Sequence, residues 1–94
     1  MSAFELTSAQ RQLVASAHRI LADPDAHVRA APDVCYRLRK EQEVCRTDEF
    51  RLRASATARD WSRTGDTAAA AAGRAELFAD LRSRVERATG PDTR

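Results

Sequence analysis

Apolar residues recur at helical spacing along the first part of the chain, which predicts an amphipathic helix. At 100° per residue, five of them fall within about 80° of one another: Leu6, Ala9, Leu13, Ala17 and Ile20. Thr7 or Ser8 can cap the first turn, and Pro24 cannot continue the helix. We therefore predict a first helix over about residues 7–22.

The middle of the chain predicts a long helix, because no glycine or proline interrupts residues 33–63. Its apolar residues fall on two opposite sides. One side holds an aliphatic stripe of Val34, Leu38, Cys45, Leu52 and Ala56, and the other holds Tyr36, Phe50, Ala54 and Trp61. A helix that is apolar on two sides is expected to pack against a neighbour on each. The alternative is a broken helix, with a new start capped near residue 47.

A third helix is predicted over about residues 67–89. Gly65 is a stop signal, and Asp66 or Thr67 can cap the helix that follows. Its predicted buried stripe is Ala70, Leu77, Leu81, Val85 and Ala88, broadened by Phe78. Gly90 in a left-handed conformation, followed by Pro91, is expected to end the helix. Residues 91–94 are predicted to form a disordered tail.

These elements predict a single all-α domain over residues 1–94, a small three-helix bundle with a thin core. Leu, Ile, Val and Phe supply 16 of 94 residues, whereas Ala alone supplies 19. Burial of bulky apolar groups is the main term that offsets chain ordering, so such a core leaves a lone bundle marginal. We therefore expect oligomerisation to complete it.

The residues predicted to lie at the resulting protein interface are of two kinds. Tyr36, Phe50 and Trp61 are large aromatics opposite the aliphatic stripe, and aromatics often anchor interfaces. Ala69 and Gly73 form a pair of small residues four apart, which allows two helices to approach closely. The sequence thus favours a non-catalytic helical regulator or adaptor that binds another copy of itself or another protein.

A nucleic-acid-binding regulator is the first alternative, because residues 37–63 hold eight basic and five acidic side chains. The candidate phosphate contacts are Arg37, Arg39, Arg51, Arg53, Arg59 and Arg63. This hypothesis predicts an affinity that falls steeply as salt rises. Acidic residues alternate with the basic ones at helical spacing, however, and intrahelical ion pairs explain much of the same pattern.

A small helical enzyme is the second alternative, with a pocket of Arg and acidic residues at a dimer interface. No glycine-rich phosphate loop or nucleophile motif supports it, so we predict no catalytic residue and no cofactor. Cys35 and Cys45 lie too far apart on one helix for a disulfide, and they form no close chelating pair with His18 or His27. No metal site is therefore predicted.

The location of the protein is predicted from its ends and its longest apolar run. Residues 1–6 have no basic region and no apolar segment, and the longest apolar run covers only residues 68–72. These features predict a cytoplasmic protein with no membrane partner.

Overall fold

The computed structural model describes residues 5–55 and 67–90, and within them the chain is entirely helical apart from turns. Three helices are present in these two ranges: α1 (Ser8–Ala22), α2 (Ala31–Ser55) and α3 (Ala68–Thr89). The all-α prediction is confirmed. The predicted positions Ala56, Arg59, Trp61, Arg63 and Gly65 and the tail 91–94 lie outside the described residues.

Two threonines cap the helices that they precede. The Thr7 hydroxyl accepts the Gln10 backbone N–H at 3.1 Å, and the Gln10 side-chain carbonyl accepts the Thr7 backbone N–H at 2.9 Å. This reciprocal pair satisfies two donors that would otherwise be free at the start of α1. The Thr67 hydroxyl accepts the Ala70 backbone N–H at 3.0 Å at the start of α3. Both helices therefore begin within one residue of the predicted position.

Helix α2 begins two residues earlier than predicted, at Ala31. Pro32 occupies the first turn, where its missing N–H is not needed, and Asp33 complements the positive end of the helix dipole. The helix continues through Thr47 without a break and is described as far as Ser55. The alternative of a second helix start near residue 47 is wrong over this range, because the chain there is part of one continuous α-helix.

The end of α3 corrects the prediction made for Gly90. This residue has φ −68° and ψ 155°, an extended conformation and not a left-handed one. Pro91 follows in the sequence, and a residue before proline is pushed towards extended backbone. The Gly90 N–H donates to the Glu86 carbonyl at 2.7 Å, and a Cβ atom at Gly90 would lie 2.5 Å from that same oxygen, so a side chain would collide with the last turn of α3.

The core lies where α3 packs along α2, with α1 against both helices over a shorter stretch. Its buried members come from all three helices: Ala17, Ile20, Ala31, Val34, Leu38, Cys45, Ala71, Ala75, Phe78, Leu81 and Val85. The aliphatic side of α2 is thus confirmed as its buried side. The buried face of α3 is rotated by about 70° from the predicted stripe, counting 100° per residue. Phe78 lies at its centre, whereas Ala88 is exposed.

Side chains also join the helices through two polar contacts. The Gln10 side-chain N–H donates to the Glu41 carboxylate at 3.0 Å between α1 and α2. The Arg82 guanidinium donates to the Gln42 side-chain carbonyl at 3.3 Å between α3 and α2. Both contacts flank the apolar contact surface of α2, so they orient its neighbours around the core.

Candidate interaction surface

The side of α2 that faces away from the core exposes two large aromatic residues. The exposed fraction is 60% for Tyr36 and 74% for Phe50. Val44, at the edge of the same side, is 52% exposed. Among the described residues only one other large apolar side chain, Val28, is exposed. Among the described residues, three of the four exposed large apolar side chains therefore lie on α2.

Six exposed residues of α2 follow each other at alternating spacings of four and three, and we call them the outer seam: Tyr36, Lys40, Glu43, Thr47, Phe50 and Ala54. This spacing keeps side chains in line along a helix that packs against another helix. The seam lies opposite the buried stripe of α2. It combines an aromatic residue near each end with charged and polar residues between them.

Within the seam, Lys40 contacts the first aromatic residue, Tyr36. Its ammonium nitrogen lies 5.9 Å from the centroid of the Tyr36 ring, within the range of a cation–π contact. Beside it, a shallow groove of about 430 Å³ is lined by Lys40, Glu43, Val44, Thr47, Asp48 and Arg51. The surface offers an apolar ring, a cation and a carboxylate along about 20 Å of helix, at 1.5 Å per residue.

The two small residues predicted at the interface occupy different environments. Ala69 is exposed, and Gly73 is partly buried. The small residues that pack tightly within the chain are instead Ala71 and Ala75, both 0% exposed. The close packing of α3 inside the protein therefore uses the neighbouring pair of small residues, and the role of Ala69 and Gly73 in binding a partner stays a prediction.

The arginines proposed for nucleic-acid binding do not form one stripe on α2. Arg37 and Arg51 lie on one side of the helix, and Arg39 and Arg53 lie on the other, since residues two apart differ by about 200°. All four are exposed. Arg59 and Arg63 lie outside the described residues.

Three of these arginines also have acidic partners on the same helix. Arg37 contacts Asp33 at 3.0 Å, Arg51 contacts Asp48 at 3.8 Å, and Arg53 contacts Glu49 at 3.0 Å. Hydrogen bonds from Arg46 and Arg53 hold the pKa of the Glu49 carboxyl below its usual value. These ion pairs account for much of the charge pattern without a nucleic acid.

A groove of about 390 Å³ between α1 and α2 contains the residue types that the enzyme alternative requires. Its charged lining consists of Asp33, Arg37, Lys40 and Glu41. Asp33 and Arg37 pair with each other, and their side chains are 64% and 66% exposed. Charges so open to water act weakly on a bound substrate, because solvent screens them. This groove lies within one chain, so the enzyme alternative, whose pocket would lie at a dimer interface, stays a prediction.

The two cysteines share α2 and are both free thiols. Cys45 is 1% exposed and Cys35 is partly buried. Burial is the main cause that raises the pKa of both thiols, although Arg74, which hydrogen-bonds to Cys45, opposes the shift there. Over residues 5–55 and 67–90, no three Cys, His, Asp or Glu side chains come together as a metal site would require.

We expect the two thiols to react at different rates with a thiol reagent near pH 8. Both raised pKa values reduce the thiolate fraction, but only Cys45 also requires local opening of the helix packing. Cys45 should therefore react at least about tenfold more slowly than Cys35, as measured by mass spectrometry of labelled peptides. Equal rates in the folded protein would contradict the burial of Cys45, and equal rates in urea provide the control.

No family model, curated protein or solved structure significantly matches the chain. None of the helices among the described residues is sufficiently long and apolar to span a membrane. The evidence on function therefore comes from the surface of this chain itself. The sequence predicts the two aromatic residues of the outer seam but not Lys40, Glu43 and Thr47. The only signal for these three is their spacing of four, three and four residues in succession from Tyr36.

Proposed function

We propose that this protein is a small, non-catalytic helical regulator or adaptor that acts by packing the outer side of α2 against a second copy of itself. The observation that supports this proposal most is the exposure of Tyr36 and Phe50 on the side of α2 opposite the core. Burying an exposed aromatic ring contributes up to about 3 kcal/mol, and each dimer would bury four of them.

The composition of the core supports the same proposal. In the part of the chain that the structure describes, the buried apolar residues other than Phe78 are aliphatic or small, and four of the eleven are alanines. A core of this kind contributes little burial per residue, so removing the aromatics of α2 from water adds stability that the monomer lacks. Dimerisation through the outer seam would therefore also stabilise each protomer.

The proposal predicts a concentration-dependent dimer that depends on the aromatics of the seam. In sedimentation velocity, Tyr36→Ala and Phe50→Ala should each raise the dimer dissociation constant at least about tenfold, because each removes two buried rings per dimer. Helix content measured by circular dichroism should not change, since both side chains are exposed in the protomer.

Val28→Ala is the matched control for this experiment. Val28 is a large apolar residue that is 49% exposed, but it lies on the connection between α1 and α2 and not on the outer side of α2. It should leave the dissociation constant unchanged. A wild-type protein that stays monomeric up to several hundred micromolar, or a dimer indifferent to Phe50→Ala, would refute the proposal.

A further inference from the structure

We infer that the two copies of α2 pair in antiparallel orientation through the outer seam, with Lys40 of one protomer opposite Phe50 of the other. This inference rests on the proposed function, because it specifies the partner's orientation and register. It follows from the order of side chains along the seam. When one copy of the seam is reversed and laid against another, each side chain meets one that complements it in size or chemistry.

In the proposed antiparallel register, the numbers of two residues that face each other across the interface add up to 90. Residues spaced by four and three occupy the two core positions of a heptad, a and d. In a packed antiparallel pair, each a residue of one helix lies opposite a d residue of the other, and we call each such set of facing residues a layer. The layers are then Tyr36 with Ala54, Lys40 with Phe50, and Glu43 with Thr47, each occurring twice about a two-fold axis. Such an interface uses the same patch on both protomers, as two-fold dimers require.

The chemistry within each layer is favourable. Ala54 provides the space that the Tyr36 ring needs, because large and small residues fit together across an interface. The aliphatic stem of Lys40 covers the Phe50 ring while its ammonium group, already over Tyr36, stays near the rim. Glu43 can accept a hydrogen bond from the Thr47 hydroxyl.

Parallel pairing is less favourable, because it places every seam residue against its own copy. Lys40 would face Lys40 and Glu43 would face Glu43, and like charges in neighbouring layers repel. An antiparallel pair shifted by one heptad towards the N-terminal end of α2 would bring Asp33 opposite Phe50. The Asp33 carboxylate, which contacts Arg37 at 3.0 Å, would then lose water beside an aromatic ring.

The orientation can be measured by pulsed electron paramagnetic resonance with one spin label per chain. Arg53→Cys in a Cys35→Ser background places the label beside the seam and keeps all six seam residues. Arg53 is 61% exposed, and the remaining native thiol, Cys45, is buried and therefore expected to react slowly. Unlabelled Cys35→Ser protein, tested by sedimentation, is the control for folding and assembly.

The measured distance separates the alternatives. In the proposed register the labels are 16 residues apart along the axis, which predicts about 25–30 Å at 1.5 Å per residue once helix separation is added. A distance below about 20 Å would show either parallel pairing or an antiparallel register shifted by a heptad towards the C-terminal end of α2, and one of about 35–40 Å would show the register shifted by a heptad towards its N-terminal end. Either result overturns the inference while leaving the dimer intact. The absence of any distance between labels, with monomeric protein in sedimentation, would overturn the proposed function itself.

Discussion

Replacing Phe78 with alanine is expected to lower the free energy of unfolding by about 3–5 kcal/mol, the usual range for a buried Phe→Ala change. Phe78 is 0% exposed and has the largest fully buried side chain in residues 5–55 and 67–90. Its neighbours on α3 include Ala75, a small residue that cannot fill the cavity that the ring leaves. A domain of this length has a net stability of only about 5–14 kcal/mol. Urea denaturation followed by circular dichroism would measure the loss.

Phe50→Ala is the control for the Phe78 prediction, because it makes the same chemical change on the exposed side of α2. Phe50 is 74% exposed, so the substitution should change the stability of the monomer by no more than about 0.5 kcal/mol. Both proteins must be compared at a concentration below the dissociation constant of the proposed dimer. Equal destabilisation by the two substitutions would contradict the assignment of Phe78 to the core and Phe50 to the surface.

Replacing Ala75 with leucine is expected to destabilise the protein by about 1–3 kcal/mol or more, because it overpacks a tight contact. Ala75 is 0% exposed and belongs to the cluster in which α3 meets the other helices. A leucine there adds three carbon atoms where the helices approach closely. The expected result is a lower melting temperature, measured by scanning calorimetry, together with partial separation of α3 from α2.

Ala69→Leu is the matched control, since it introduces the same side chain on the same helix at an exposed position. It should leave the melting temperature of the monomer nearly unchanged, because leucine and alanine are both good helix formers. A large loss of stability would contradict the exposure of Ala69. A change confined to the dimer dissociation constant would instead place Ala69 at the protein interface that the sequence predicts.

The helix ends were largely predictable because local chemistry determines them. Thr7 and Thr67 cap their helices through their own side chains, and Pro24 ends α1 whatever the rest of the chain does. The start of α2 differs by two residues because Pro32 is compatible with more than one position in a first turn. Gly90 was misjudged because the proline that follows it determines its conformation more strongly than the helix end does.

The buried face of a helix could be predicted only where large apolar side chains lie on one side of it and small or polar ones on the other. On α2 the aliphatic and aromatic stripes lie opposite each other, so burial of the first fixed the exposure of Tyr36 and Phe50. On α3, residues 68–72 are all alanine, and small groups on every side give no periodic signal. The position of Phe78 decides which side is buried, and the tight pair is therefore Ala71 and Ala75.

Helix α1 contributes only two fully buried residues, Ala17 and Ile20, to a core that α2 and α3 otherwise form between them. The three helices are therefore packed unequally, and α1 is held less strongly than the other two. Because regions with few buried groups open at lower free energy than the whole, α1 is the part that detaches first when the protein begins to unfold. What stays together at that stage is the pair of α2 and α3, with Tyr36 and Phe50 still exposed on the outer side of α2.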